Sequence, residues 1–178
     1  MPVRIFLLMG ALLAVPVQSW ADCQIIASQQ KIAYSRLSAA ERQQAGGQPV
    51  TLPEKQIQIQ VVCSEPQRIR LFVGSNLPQN GTFSLGSEGE MQVTATNAFV
   101  DDQSVRLAPV QLNDALPRTG GSAKLDVALN QGLAFVHGEE IRGKTASVSL
   151  LVASTIKPGS ITDRTTWRGN LNIKLDVQ

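Results

Sequence analysis

Apolar and polar residues alternate in several short segments of this chain, and this two-residue period constrains the fold more than any other feature. Residues 171–177 alternate in this way, and so do residues 56–63 and 69–73. Successive side chains of a β-strand point to opposite faces of the sheet, so the pattern gives each segment one apolar and one polar face. The sequence therefore predicts an all-β fold built from half-buried strands.

Turn residues separate these segments, and we count about eight to ten short strands. Glu65-Pro66 and Asn80-Gly81 are typical of turns, and Asp101-Asp102-Gln103 is predicted to be the tip of a hairpin. Arg68 and Arg70 are interpreted as the solvent-facing side of a strand. Many short strands with frequent turns predict an antiparallel sandwich or barrel.

One segment departs from the β pattern. Ser38 and Glu41 form a capping box, and Gly46-Gly47 supplies a C-terminal stop. Residues 38–45 are therefore predicted to form a short helix. A long polar loop is expected over residues 113–122.

The first 21 residues are typical of a secretory signal peptide. Arg4 supplies the positive charge, Ile5–Val15 form the apolar run, and Ser19-Trp20-Ala21 offers small residues for cleavage. The run is shorter than the ~20 residues that a transmembrane helix needs, and no later segment is a better candidate. We expect export, with residues 22–178 forming a single domain and no transmembrane segment.

Two cysteines, Cys23 and Cys63, remain after the leader is removed. In the oxidising compartment that the leader predicts, one disulfide between them is the simplest interpretation. It would stabilise the fold by roughly 3 to 4 kcal/mol on the chain-entropy model. A metal site would need further ligands, and His137 is the only histidine, so no metal is expected.

The sequence offers no set of residues that indicates catalysis. Asp101-Asp102 and Glu139-Glu140 are adjacent pairs, which solvated turns explain more simply than a shared substrate does. The glycines fit no nucleotide-binding motif, so no cofactor is expected. The formal net charge of +2 gives no concentrated basic face for nucleic acid. Tyr34 and Trp167 are interpreted as core residues, and we expect a protein that is not an enzyme.

The first half of residues 22–178 resembles fimbrial-type subunits, in particular a poorly characterised family of fimbria-associated proteins linked to chaperone-usher systems. A cysteine near the mature start, Tyr34 before a short polar helix, and Cys63 at the end of an alternating strand carry the resemblance, together with the C-terminal strand.

This resemblance implies an incomplete, pilin-like, immunoglobulin-like β-sandwich that lacks its seventh strand. In such subunits a periplasmic chaperone fills the open groove first, and the strand of a neighbouring pilus subunit replaces it at the outer-membrane usher. The final strand matches the element that borders the groove. The groove contacts would then be Leu171, Ile173, Leu175 and Val177.

Polymerising pilins carry a donor strand before the first cysteine, whereas only Asp22 stands there after cleavage. We therefore expect a tip or accessory subunit with a role in adhesion, in the periplasm during transit and then in a fimbrium at the cell surface. The alternative is a complete, free-standing secreted β-sandwich that binds a glycan or a protein surface. A secreted hydrolase built around His137 and an exported β domain of another role are the remaining alternatives.

Overall fold

The computed structural model of the chain describes residues 22–27, 31–35, 41, 46–75, 81–87, 89–117, 120–157 and 167–178. Strands account for most of these residues, and every ladder between them is antiparallel, which confirms the predicted all-β sandwich. The predicted signal peptide lies outside the described residues. So does the predicted helix, except for Glu41, which has a helical conformation.

The first layer contains the longest strands. Its order is β1-β3-β11-β5, and the outer edge of β5 pairs with β4, β6 and β8. The bounds are β1 Cys23–Ala27, β3 Val50–Gly74, β4 Phe83–Leu85, β5 Gly89–Val100, β6 Gln103–Ser104, β8 Leu125–Val127 and β11 Arg142–Ile156.

The second layer is built on the last residues of β3. Its order is β13-β3-β9-β7, and the short β10 folds back to pair with the end of β9. A separate two-stranded ladder joins β2 to β12. The bounds are β2 Lys31–Tyr34, β7 Arg106–Val110, β9 Gly132–His137, β10 Glu139–Glu140, β12 Trp167–Asn170 and β13 Asn172–Val177.

The predicted turn at Glu65-Pro66 is wrong, because β3 continues through it from the first layer into the second. The β3–β11 register shifts here: Thr145 pairs with Val62, but Gly143 pairs with Gln67. The extra β3 residues form a bulge, which bends a strand without reversing it and also accommodates a proline that lacks an N–H. The two alternating segments are therefore one bent strand.

Side chains from both layers form one apolar core. Ile57, Ile59 and Val61 of β3 are buried there, as Cys63 is at the end of the same alternation. Tyr34 and Trp167 are register partners in the β2–β12 ladder, and both are buried. The alternation therefore predicted the core face of β3, and both aromatics are core residues as expected.

The structure confirms the hairpin predicted at Asp101-Asp102-Gln103. Asp101 and Asp102 have φ of 45° and 64°, and β5 pairs with β6 on either side of them. Two consecutive residues with positive φ are the mark of the type I′ turn that suits a two-residue hairpin.

Two expectations of solvent exposure are wrong. The side chains of Arg70 and Glu140 are 0% and 1% exposed and form an ion pair, with an Arg70 Nε–Glu140 Oε1 distance of 2.7 Å. The Arg70 guanidinium also donates to the backbone carbonyl oxygens of Asp114 and Ala115. The loop after β7 therefore covers this face of the second layer, so neither side chain reaches solvent.

Candidate functional site

The four predicted groove residues lie at the edge of the second layer. Leu171 stands between β12 and β13 and is buried. Ile173, Leu175 and Val177 lie on β13, pack against the core and are only partly buried. The structure therefore buries Leu171 in the core just before the last strand and places the other three on that strand, where they remain partly open.

The hydrogen-bond register of β13 shows which backbone groups face outward. Gln178 and Arg68 exchange two backbone hydrogen bonds, of 3.1 and 2.9 Å. Hydrogen-bonded and non-hydrogen-bonded pairs alternate along an antiparallel ladder. The N–H and C=O groups of Ile173, Leu175 and Val177 consequently point away from β3, and in the described residues no strand pairs with them.

The same geometry recurs on β1. The Ser64 N–H donates to the Asp22 carbonyl oxygen at 2.9 Å, which fixes the alternation along the β1–β3 ladder. Cys23, Ile25 and Ala27 therefore direct their backbone groups away from β3. Their side chains pack against the core and are only partly buried.

Both strands lie on one flank of β3, because β11 and β9 occupy the other. Asp22 meets β3 at Ser64 and Gln178 meets it at Arg68, so β1 and β13 approach each other at the bend. Near the opposite ends of β1 and β13, the β2–β12 ladder pairs Lys31 with Asn170. The space between the two outer edges is named here the edge slot, bordered by Cys23, Ile25, Ala27, Ile173, Leu175 and Val177.

A disulfide holds one side of the edge slot in place. Cys23 and Cys63 are bonded as predicted, with a Cα–Cα distance of 4.0 Å, and they are register partners in the β1–β3 ladder. The bond ties the start of β1 to β3 beside the bend. Because β1 is only five residues long and pairs only with β3 among the described strands, this covalent link limits its separation from the layer.

The edge slot combines two features that together suit an incoming β-strand. Among the described residues no strand pairs with its two edges, whose outward N–H and C=O groups can hydrogen-bond to another strand. Its half-buried apolar side chains can cover alternate side chains of that strand. The arrangement can therefore accept an extended segment with an alternating apolar pattern.

The other residues considered for chemistry do not come together. His137 is exposed at the end of β9. Asp101 caps the neighbouring backbone, since its carboxylate accepts from the N–H groups of Lys144 and Thr145. No cluster of three or more potential metal ligands occurs among the described residues. Within the same part of the chain, no helix is long and apolar enough to cross a membrane.

Comparison with known proteins gives one informative similarity. The chain is 29% identical to YhcE, an uncharacterized protein of Escherichia coli (strain K12). The match extends over 172 residues and covers 94% of this chain and 95% of YhcE. No protein-family model matches the chain. No solved structure matches it either.

The sequence predicted groove contacts only near the C-terminus and none on β1. Within β1 only Gln24 interrupts the apolar residues, so the sequence shows no two-residue alternation there, and the outward direction of Ile26 appears only in the structure. β1 and β13 can both pair with one flank of β3 because β3 is a single strand bent at residues 63–67. The incorrect prediction of a turn at Glu65-Pro66 divided β3 into two strands, so this shared pairing could not be predicted.

Proposed function

We propose that this chain is an exported, non-enzymatic fimbrial-type subunit that accepts a β-strand from a partner protein in the edge slot. The observation that carries the proposal is the one-sided pairing of β13. The core-facing side chains of Ile173, Leu175 and Val177 are only partly buried, and their backbone N–H and C=O groups have no strand partner among the described residues. An inserted strand would bury these side chains and would also hydrogen-bond to these backbone groups.

The proposed partners follow the assembly sequence of chaperone-usher fimbriae. A periplasmic chaperone binds the edge slot first, and the strand of a neighbouring subunit replaces it at the outer-membrane usher. Main-chain hydrogen bonds supply affinity whatever the sequence of the inserted strand. The apolar side chains of the edge slot select strands whose own apolar residues alternate in the matching register. The same slot can therefore bind two successive partners with different sequences.

The cysteines and the leader support export. A disulfide persists in compartments outside the reducing cytosol, and Cys23–Cys63 is formed. Together with the predicted leader of residues 1–21, this disulfide supports the export part of the proposal. The proposed route is the periplasm during transit and then a fimbrium at the cell surface, where we propose a role in adhesion. The free-standing binding module is the weaker alternative, because it gives no role to the partly exposed core-facing residues of β13.

A matched pair of substitutions on β13 tests the proposal. Ile173→Asp puts a carboxylate on the core-facing row, whereas Lys174→Asp puts the same group on the exposed, opposite face of the strand. Each mature variant is co-expressed in the periplasm with a tagged chaperone from a fimbrial operon of the same genome. Capture is then measured by co-purification.

We expect Ile173→Asp to abolish capture, because the carboxylate would be buried without a partner in the complex, at a cost of several kcal/mol. Lys174→Asp should leave capture unchanged. Equal capture of both variants would refute the assignment of the edge slot as the strand-binding site. Loss of folding is monitored separately by formation of the Cys23–Cys63 disulfide.

A further inference from the structure

One continuous area of the first layer's outward surface carries no charged residue and spans four adjacent strands. It consists of residues 24–26 of β1, 56–62 of β3, 145–151 of β11 and 92–99 of β5, none of which is Asp, Glu, Lys, Arg or His. This surface is named here the neutral face. Charged side chains stand at its border: Glu90 of β5 is exposed, and the Asp126 carboxylate of β8 accepts a hydrogen bond from the Thr94 hydroxyl at 2.8 Å. Depletion of charge is typical of the centre of a protein interface.

The polar side chains at the centre of the neutral face are already hydrogen-bonded to one another. The Ser149 hydroxyl accepts from the Gln56 side-chain amide at 3.1 Å and donates to Gln58 Oε1 at 2.8 Å. This ladder runs across β3 and β11, the two middle strands. Covering it would leave fewer polar groups without a partner than covering freely solvated side chains would, so the desolvation penalty is reduced.

Exposed apolar side chains stand at the two margins of the neutral face, and Val62, which is 40% exposed, lies between them on β3. Ile26 on β1 is 56% exposed, and Phe99 on β5 is 40% exposed. The ladder registers place both in one row across the sheet, separated by Gln60 and Ser147. A large apolar group therefore stands at each end of the row, with a small hydroxyl and a flexible amide between them.

This distribution is self-complementary under a two-fold rotation. With the axis parallel to the strands between β3 and β11, β1 of one copy faces β5 of the other. Ile26 then packs against Phe99 of the second copy at both ends, while Gln60 faces Ser147 in the middle. Such a reciprocal arrangement defines an isologous interface. No like charges meet, because the neutral face has none.

We propose that the neutral face binds a second copy of this chain through reciprocal Ile26–Phe99 contacts. This goes beyond the proposed strand acceptance, because neither side chain points into the edge slot: Phe99 lies on β5 and Ile26 on the outward side of β1. The 25 residues of the neutral face, at ~3.3 Å per residue along strands spaced ~4.8 Å apart, give a face of about 400 Å². Stable interfaces bury about 800 Å² per partner, so the association is weak and reversible.

Sedimentation velocity over a concentration series tests the proposal, using the folded, oxidised mature chain. The native chain should shift towards a dimer as its concentration rises. Ile26→Glu and Phe99→Lys should each weaken self-association at least about tenfold, because each brings two charges against apolar groups. Leu116→Lys is the control, since Leu116 is 57% exposed and lies outside the neutral face.

The decisive measurement is an equal mixture of Ile26→Glu and Phe99→Lys chains. A mixed dimer has one native Ile26–Phe99 contact and one Glu–Lys contact, so mixing should restore association that neither variant shows alone. A native chain that stays monomeric would overturn the proposal, as would a mixture that remains monomeric. Association lost in Ile173→Asp but kept in Phe99→Lys would assign dimerisation to the edge slot and would also overturn it.

Discussion

The buried ion pair between Arg70 and Glu140 gives the sharpest prediction about stability. Glu140 accepts from Arg70 Nε and from Nη2, both at 2.7 Å, and the two side chains are 0% and 1% exposed. The hydrogen bond to Glu140 raises the pKa of Arg70 above its ordinary value, so the guanidinium stays charged. Replacing Glu140 with alanine therefore leaves a buried cation without its carboxylate.

We expect Glu140→Ala to lower the free energy of unfolding by about 3 kcal/mol. Removing one partner of a buried ion pair costs about 3 to 5 kcal/mol. The lower value applies here because the carbonyl oxygens of Asp114 and Ala115, at 2.7 and 3.0 Å, still accept from Arg70. Urea unfolding of the oxidised mature chain measures the difference through the midpoint at constant slope.

The neighbouring residue provides the control for this measurement. Glu139 is exposed, so Glu139→Ala removes the same charge from the same strand without opening a buried pair and should change stability by less than about 0.5 kcal/mol. A double-mutant cycle with Arg70→Met isolates the coupling, since replacing both partners with apolar groups is less destabilising than removing one. Equal midpoints for Glu139→Ala and Glu140→Ala would refute the burial of this pair.

Three further predictions concern the disulfide, the core and the hairpin. Replacing Cys23 and Cys63 together with serine should lower the free energy of unfolding by roughly 3 to 4 kcal/mol, measured by urea unfolding. Tyr34→Phe should lower the free energy of unfolding by about 1 to 2 kcal/mol. The Tyr34 hydroxyl donates to the Pro53 carbonyl oxygen at 3.0 Å and lies 3.1 Å from the Ser154 hydroxyl, and phenylalanine loses both contacts. An unchanged melting temperature would contradict this network. Asp101→Gly should destabilise by about 1 to 2 kcal/mol, because the carboxylate that accepts from the Lys144 and Thr145 N–H groups is lost. Asp102→Gly should stabilise by up to about 1 kcal/mol, because glycine adopts a φ of 64° without strain. The melting temperature should therefore fall below that of the native chain in the first variant and rise above it in the second.

The sequence predicted the fold where local pattern and burial coincide. Ile57, Ile59, Val61 and Cys63 occupy the core face that their two-residue period assigned to them. The Asp101-Asp102 hairpin was also predictable, because two aspartates between alternating segments favour a tight turn. These features depend only on residues close together in the chain.

The failures depend on residues that are distant in sequence. Glu65-Pro66 looks like a turn locally, but the pairing of β11 across it keeps β3 continuous. The local sequence indicates a solvent-facing Arg70. In the folded chain the loop at Asp114 and the carboxylate of Glu140, both distant in sequence, cover its guanidinium. The edge slot lies between β1 and β13, which are brought together because both pair with β3. The C-terminal alternation could therefore predict only the residues of β13.

Hydrogen exchange along β13 tests the central claim most directly. The N–H groups of Lys174, Asp176 and Gln178 point towards β3, whereas those of Ile173, Leu175 and Val177 point into the edge slot. Residue-resolved exchange of the mature chain alone should therefore show slow and fast amides in strict alternation. Binding of the chaperone should slow Ile173, Leu175 and Val177 to the rate of their neighbours. Slow exchange of these three amides in the isolated chain would show that the edge is already paired and would contradict strand acceptance.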